Sequence, residues 1–206
     1  MSAAELELAQ LLASRICHDL ISPVAAVNNG LELLEEDDEG GEMRERALEL
    51  VMDSARVAAA KLQIMRSAFG AGQTLPEQSS QSDLWELLKP ISEKNNISFE
   101  WNNLQREYFT RNESRLLLNM LLLACEALPR GGKISIQAEE KGFCLSLTGS
   151  KVIFPQDKED FLCDSKEKPT EPRFIGLYLV RLLAEQVGDG MISLMRGEAN
   201  MKMIVT

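Results

Sequence analysis

The sequence contains few of the side chains from which metal and catalytic sites are usually built. It has one histidine, His18, and four cysteines with no CxxC spacing among 206 residues. A structural zinc site needs about four such ligands, so we do not expect one. Nothing in the sequence suggests export, and the cysteines are therefore expected to be reduced thiols. Any chemistry that depends on an imidazole must therefore use His18.

Long apolar runs and net positive charge are also absent. No apolar run approaches the roughly 18 residues that span a bilayer, and the acidic N-terminal stretch MSAAELELAQ lacks the basic and apolar regions of a signal peptide. We therefore expect a cytoplasmic protein. The net charge of −10 argues against nucleic acid and against an anionic membrane surface, because binding to either depends on Lys and Arg. Protein partners are compatible with an acidic surface.

Two long helical patterns occupy the first third of the chain. In residues 6–36 and 43–69 apolar side chains recur at steps of three and four, which forms one stripe along each helix at about 100° per residue. The residues 35–42, EEDDEGGE, predict a turn between the helices, and the whole pattern predicts an antiparallel hairpin. The stripes consist of Leu12, Ile16, Leu20, Val24, Val27, Leu31 and Leu34, and of Val51, Ala55, Ala58, Leu62, Met65 and Phe69.

A hairpin of about 70 residues is too small to bury both of its apolar stripes well by itself. Pairing with a second copy would cover both faces and would form a four-helix bundle. We therefore predict a homodimer that is formed through residues 1–70, the helical hairpin domain.

The composition changes after the hairpin. The stretch AGQTLPEQSSQS predicts a linker over residues 71–82. Residues 83–206 mix helical and alternating patterns, which predicts an α+β fold whose C-terminal domain is a two-layer α/β sandwich. Helices are predicted at 83–93 with an interruption at Pro90, at 113–128 after a cap at Asn112, and at 173–187, while 150–172 is predicted to be irregular. Strands are predicted at 97–101, 133–139, 143–148, 191–196 and 201–206.

The position of His18 on its helix is the most informative feature of the sequence. The helix wheel places it nearly opposite the apolar stripe, with Arg15 and Ser22 on the same outward face. An isolated exposed histidine more often has no function. Pro23, one turn further on, lies inside a periodic helix, where proline costs about 3 kcal/mol and bends the axis. Such a defect is easier to understand if it shapes a docking surface.

The residues around His18 suit phosphoryl transfer. Neutral imidazole is a good nucleophile near pH 7, and phosphorylated imidazole can pass its phosphoryl group to a carboxylate. Asp19 can hydrogen-bond one ring nitrogen and leave the other free. Arg15 is a candidate for docking or phosphate contact, because guanidinium pairs well with phosphoryl oxygens. The candidate site consists of His18 as phosphoacceptor, Asp19 as orienting residue, Arg15 and Ser22.

Several segments resemble motifs of a known family. ICHDLISPVAAVNNGLELL, residues 16–34, resembles the H-box of bacterial histidine kinases, in which a hairpin dimerisation domain precedes a GHKL-type ATP-binding domain. The two parts predicted here have that order and size. RLLLNMLLLACEALPRGG, residues 115–132, resembles the N-box helix and its exit, with Asn119 at the first asparagine of the motif. The resemblance thus covers nearly the whole chain.

The nucleotide-binding motifs have kept their framework but lack the groups that touch nucleotide. Leu123 replaces the second asparagine and offers no oxygen to Mg²⁺. Thr148 stands near the aspartate position of the next box, which keeps only Gly149. The last glycine-rich box reads GLYL at 176–179, with Tyr178 where phosphate needs open backbone. The C-terminal domain therefore resembles a kinase ATP-binding domain that no longer binds ATP, and we expect no cofactor of its own.

An intact H-box joined to a degenerate nucleotide domain is typical of the ChpT-type histidine phosphotransferases, which HDLISPVAAVNNGLELL and ALPRGG closely resemble. The resemblance implies a dimeric phosphorelay protein that accepts phosphoryl from the receiver domain of a hybrid histidine kinase. It would donate the group to the receiver domains of response regulators that control the cell cycle and proteolysis. Mg²⁺ would be supplied by the partner receiver. Ser22 stands where sensor kinases often carry Thr or Asn, so efficient intrinsic phosphatase activity is not predicted.

Two alternatives remain open at this point. An ATP-dependent histidine kinase with divergent motifs would bind nucleotide and phosphorylate itself. A non-catalytic kinase-like scaffold would keep its partners and its output without His18. In the C-terminal domain, Phe154 and Phe161 are weak candidates for contact with a receiver, and core packing is the better interpretation of both.

Overall fold

The structure, a computed structural model, describes residues 2–36, 41–70, 74–102, 106–164 and 167–206. Among these residues no helix combines the length and the apolar character that crossing a membrane requires. The elements follow in the order α1 (Ala3–Glu36), α2 (Glu42–Phe69), β1 (Gln78–Ser80), α3 (Gln81–Asn95), β2 (Ile97–Asn102), β3 (Tyr108–Thr110), α4 (Arg111–Ala127), β4 (Gly132–Glu139), β5 (Gly142–Thr148), α5 (Gln156–Cys163), a 3₁₀ turn (Pro172–Phe174), α6 (Ile175–Val187), β6 (Ile192–Arg196) and β7 (Asn200–Val205).

The predicted helical hairpin is confirmed by α1 and α2, which pack along each other in opposite directions. The helices approach most closely at Gly30, where an added Cβ would lie 2.6 Å from Val51 Cγ2 and 3.2 Å from the Ala47 carbonyl oxygen. Pro23 is buried inside α1, and the helix continues through it. The turn predicted between the helices includes residues 37–40, which lie outside the described residues.

Replacing Gly30 with glutamine is expected to destabilise the hairpin. The new side chain must displace Val51 or separate the helices, and overpacking of this kind costs about 1–3 kcal/mol. Glutamine has a higher helix propensity than glycine, but by less than about 1 kcal/mol, so the net effect is a lower free energy of unfolding. Thermal unfolding followed by circular dichroism measures it as a lower Tm. The control Asn29→Gln changes an exposed neighbour and retains the wild-type Tm; an unchanged Tm in Gly30→Gln would contradict the close approach.

Part of the predicted linker belongs to the secondary structure of the C-terminal domain. β1 pairs antiparallel with β3, so that Ser79 lies opposite Phe109. Leu75 is buried, and the Ser80 hydroxyl accepts from the Asp83 N–H in a capping box that begins α3. The sequence did not indicate β1 because three polar residues, QSS, show no apolar alternation. Residues 71–73 of the linker lie outside the described residues.

The C-terminal domain is a mixed sheet packed against helices, which confirms the predicted α+β class. Its five strands have the order β2-β4-β5-β7-β6, with β2 and β4 parallel and the other neighbours antiparallel. Helix α4 contributes much of the core and packs against β5 and α6. The largest fully buried side chains of this domain include Leu116, Leu117, Met120, Leu121, Ile134 and Phe143.

Two helix predictions need correction. Helix α4 begins after Thr110, whose hydroxyl accepts from the Glu113 N–H, whereas Asn112, the predicted cap, lies inside the helix. Strand β3 ends at Thr110, directly before the helix, and this short strand was not predicted from the sequence. Helix α3 is not interrupted at Pro90 but continues to Asn95. Its buried apolar side chains, Leu84, Leu88 and Ile91, hold it against the core on both sides of the proline.

The region predicted to be irregular contains a helix. Residues 156–163 form α5, QDKEDFLC, whose apolar residues stand together at its end, so it has no apolar periodicity to recognise. The following helix was predicted from residue 173; α6 begins at Ile175, after the 3₁₀ turn that Pro172 starts.

Candidate functional site

His18 projects from the middle of α1 into solvent. Its side chain is 82% exposed, which confirms the outward orientation predicted from the helix wheel. The ring nitrogen Nδ1 lies 3.1 Å from Asp19 Oδ1, so the two groups share a hydrogen bond whose direction depends on the tautomer. The other ring nitrogen, Nε2, is the one that this contact leaves available.

Asp19 is held from three sides. Its Oδ1 faces His18, and its Oδ2 accepts a hydrogen bond from Arg15 Nε at 2.7 Å. Its backbone carbonyl accepts from Lys61 Nζ of α2 at 2.9 Å. The Asp19 side chain is only 19% exposed, so its carboxylate is less screened by water than one on the open surface. The geometry suits a residue that fixes the orientation of the neighbouring imidazole.

The position predicted for Arg15 is wrong. Its side chain is also 19% exposed, and it turns away from the outward face of His18 towards α4, where it pairs with Glu126. Burial opposes the charge of Arg15, but Glu126 and Asp19 more than compensate, and the pKa of Arg15 is raised. Residues three apart on a helix diverge by about 60°, which brings Arg15 to the side where α4 packs. Ser22, by contrast, is exposed as predicted.

Glu126 and Lys158 join the site from the C-terminal domain, and sequence reasoning missed both. Glu126 accepts from Arg15 through Oε1 and from Lys158 Nζ through Oε2, the second contact at 3.0 Å. Helix α4 carries Glu126 at its C-terminal end, and α5 carries Lys158. No pattern in the sequence points to either residue, because nothing in it indicates that the end of α4 comes within reach of Arg15 on α1.

A cavity of about 280 Å³ lies between the hairpin and the C-terminal domain, beside this cluster. The residues that resembled the kinase N-box are found here: Leu123 is buried, and Asn119 donates from Nδ2 to the Ala68 carbonyl at 3.0 Å and to the Arg115 carbonyl at 2.9 Å. Asn119 is therefore used to bind the end of α2. The lining also includes Asp19, Lys61, Met65, Phe69, Cys125, Glu126, Arg173 and Gly176.

Of the remaining kinase-like glycines, Gly149 has an explanation that involves no nucleotide, whereas Gly176 does not. A Cβ on Gly149 would lie 2.9 Å from the Gly131 carbonyl oxygen and 2.9 Å from Leu128 Cδ2, so packing alone requires glycine there. A Cβ on Gly176 would meet only Leu123 Cδ2, at an ordinary 3.6 Å. Tyr178 lies in helix α6, and its ring lies near the Arg181 guanidinium. Leu123 offers no oxygen where the kinase motif has its second Mg²⁺ ligand.

Other possible functional groups of the C-terminal domain are structural. Phe154 is buried, and Phe161 stacks on Phe174 with a centroid distance of 4.8 Å, so both are packing residues. Burial raises the pKa of the Cys125 thiol to about 12, and this cysteine stays protonated at neutral pH. All four cysteines are free thiols, as expected.

The chain is similar in sequence and structure to known phosphotransferases. A family model of the histidine phosphotransferase C-terminal domain matches residues 82–199, and the chain belongs to the histidine phosphotransferase family. It is 37% identical over 193 residues to protein phosphotransferase ChpT of Brucella abortus (strain 2308), which covers 91% of this chain and 90% of that protein. A solved bacterial phosphotransferase has 35% identity and a TM-score of 0.78, over 98% of this chain and 96% of that one. The predicted ChpT-type family is thereby confirmed.

Proposed function

We propose that His18 is the phosphoacceptor of this histidine phosphotransferase. It would take a phosphoryl group from the aspartate of a hybrid kinase receiver and pass it to the receiver aspartates of response regulators. The observation that carries the proposal is the exposed imidazole of the chain's only histidine, with Nδ1 against the Asp19 carboxylate and Nε2 left available by that contact. Asp19 orients the ring, and Ser22 lies on the surface that a receiver would cover.

The transfer needs little beyond positioning and charge neutralisation. We propose that the receiver's acidic pocket supplies Mg²⁺ and that this chain supplies the nucleophile and its orientation. The family membership and the net charge of −10 both favour protein partners in the cytoplasm over nucleic acid or a membrane.

We further propose that the phosphoryl group does not come from ATP bound to this chain. Leu123 brings a buried alkyl chain to the place where a kinase would hold Mg²⁺, and Tyr178 interrupts the glycine-rich motif within α6. Asn119 Nδ2 binds the carbonyl of Ala68, and its Oδ1 alone would be a poor substitute for the several oxygens that Mg²⁺ requires. These contacts favour a transfer protein over the alternative of a divergent autokinase.

The source of phosphoryl is tested by labelling the purified protein in two ways. Incubation with Mg²⁺ and [γ-³²P]ATP alone is expected to leave the chain unlabelled, because Leu123 has no oxygen to replace the Mg²⁺ ligand of the kinase motif. Addition of a ³²P-phosphorylated receiver domain is expected to label it within minutes. Label from ATP alone would show an autokinase, and absence of label from every receiver tested would favour a scaffold. A known histidine kinase in the same ATP mixture serves as the positive control.

We also propose a homodimer formed through the hairpin. α2 leaves an apolar stripe uncovered, and its larger members, Leu48, Met52 and Leu62, are 43%, 51% and 50% exposed. On α1, Val24 and Leu31 are exposed to a similar extent. The steps of four and three between Leu48, Met52, Ala55, Ala59 and Leu62 are those of a helix seam, and a second copy would convert two hairpins into a four-helix bundle.

A further inference from the structure

We propose that Glu126 of the C-terminal domain is a positioning residue for His18, acting through Arg15 and Asp19. This inference rests on the proposed phosphoacceptor role of His18. It gives the degenerate domain a function in the transfer itself, namely to hold the imidazole in the form that is able to attack phosphorus.

The contacts form an unbroken series from one domain to the other. Glu126 Oε1 accepts from Arg15 Nη2, Arg15 Nε donates to Asp19 Oδ2 at 2.7 Å, and Asp19 Oδ1 lies 3.1 Å from His18 Nδ1. Each contact uses a different atom, so all of them are made at the same time. Lys158 Nζ holds the second oxygen of Glu126 at 3.0 Å, which fixes this carboxylate from both ends.

Partial burial makes this series stronger than an ordinary surface ion pair. The side chains of Arg15 and Asp19 are 19% exposed, and those of Glu126 and Lys158 are 34% and 17% exposed. Water screens charges of this kind less than charges on an open surface. Other charged groups face the cluster from α2, where Lys61 binds the Asp19 carbonyl.

Glu126 matters because it competes with Asp19 for the guanidinium of Arg15. Guanidinium prefers to bind a carboxylate through two parallel hydrogen bonds. With Glu126 on Nη2, Arg15 offers Asp19 only Nε, and Asp19 Oδ1 is left for His18. Without the Glu126 charge, Arg15 is free to take both oxygens of Asp19 and to withdraw Oδ1 from the ring.

The consequence for the chemistry is a defined tautomer. A carboxylate at Nδ1 keeps the proton of neutral imidazole on that nitrogen and leaves the lone pair on Nε2. Nε2 then forms the N–P bond as the O–P bond of the receiver's aspartyl phosphate breaks, and the electron pair returns to the receiver carboxylate. The Nδ1 proton stays in place, and Asp19 faces the positive charge of the phosphorylated ring.

The single histidine makes the test unambiguous, since ¹⁵N-histidine labelling reports on His18 alone. At a pH where the ring is neutral, the wild-type ¹⁵N shifts are expected to show mainly the Nδ1–H tautomer. Glu126→Gln is expected to shift the ring towards the Nε2–H tautomer that free histidine prefers, and to slow labelling by a phosphorylated receiver about tenfold. In an Arg15→Gln background, Glu126→Gln is expected to have no further effect, because the intermediary is gone.

Glu86→Gln, an exposed glutamate on α3, is the matched control and is expected to keep the wild-type tautomer and rate. A folded Glu126→Gln protein with unchanged ¹⁵N shifts would overturn the proposal, as would an equal effect of Glu126→Gln with and without Arg15. If the tautomer shifts as expected while no receiver labels the wild type, the positioning by Glu126 stands and the phosphoacceptor role of His18 fails. The two proposals are therefore separable.

Discussion

Labelling by a phosphorylated receiver is expected to fall by about a thousandfold or more when His18 is replaced by glutamine, the scale typical of losing a nucleophile. The chain has no second histidine to take over. The nearest buried thiol in the cavity, Cys125, is kept protonated because burial raises its pKa to about 12. Glutamine keeps a similar length and hydrogen-bonding capacity but has no nucleophilic nitrogen. The measurement is the initial rate of ³²P transfer from the receiver.

The control for His18→Gln is Asn29→Gln, which changes an exposed residue on the same helix and is expected to keep the wild-type rate. The label on the wild type is expected to be lost in acid and retained in alkali, as an N–P bond requires. Substantial labelling of His18→Gln would place the phosphoryl group elsewhere. Loss of labelling in both variants would indicate damage to the hairpin instead of loss of the nucleophile.

Leu62→Glu is expected to convert the dimer into monomers at micromolar concentration. Burying a leucine side chain contributes about 1.5–3 kcal/mol, and a charge placed in the same seam adds a desolvation cost. Each dimer contains the substitution twice, so the dissociation constant is expected to rise by about a thousandfold or more. Light scattering after size-exclusion chromatography over a dilution series measures the change in molecular mass.

Gln63→Glu is the matched control for the dimer, since it adds the same charge at the next residue, about 100° around α2 and off the apolar stripe. It is expected to remain dimeric. A wild-type protein that is monomeric at micromolar concentration would contradict the dimer proposal directly. A Leu62→Glu protein that stays dimeric would show that the interface uses a different face of the hairpin.

The sequence predicted those elements whose apolar residues repeat over several turns or along a whole strand. Helices α1 and α2 and the strands β4 and β5 have such patterns, and their predicted bounds agree with the structure within a few residues. The elements that were missed are short or polar. Strand β1 has only the residues QSS, and α5 buries Leu162 alone, so neither has a periodicity that a sequence can reveal.

Only those features of the candidate site that depend on contacts within α1 could be predicted from the sequence. The outward direction of His18 and its contact with Asp19 depend on neighbours along α1, and the structure agrees with both. The orientation of Arg15 depends on Glu126, which is distant in sequence and reaches it only when α4 packs beside α1. Tertiary contacts of this kind leave no local pattern in the sequence, which is why the orientation predicted for the Arg15 side chain was wrong.

Gly149 illustrates how packing alone can retain a glycine of a nucleotide-binding motif. Any side chain there would collide with the Gly131 carbonyl oxygen and with Leu128. Selection for folding is therefore sufficient to retain this glycine, with no contribution from nucleotide. A glycine motif by itself therefore does not identify an active ATPase, and the residues at the ligand positions, such as Leu123, are more informative. The reliable sign of lost activity is the loss of metal-binding oxygens, not of glycines.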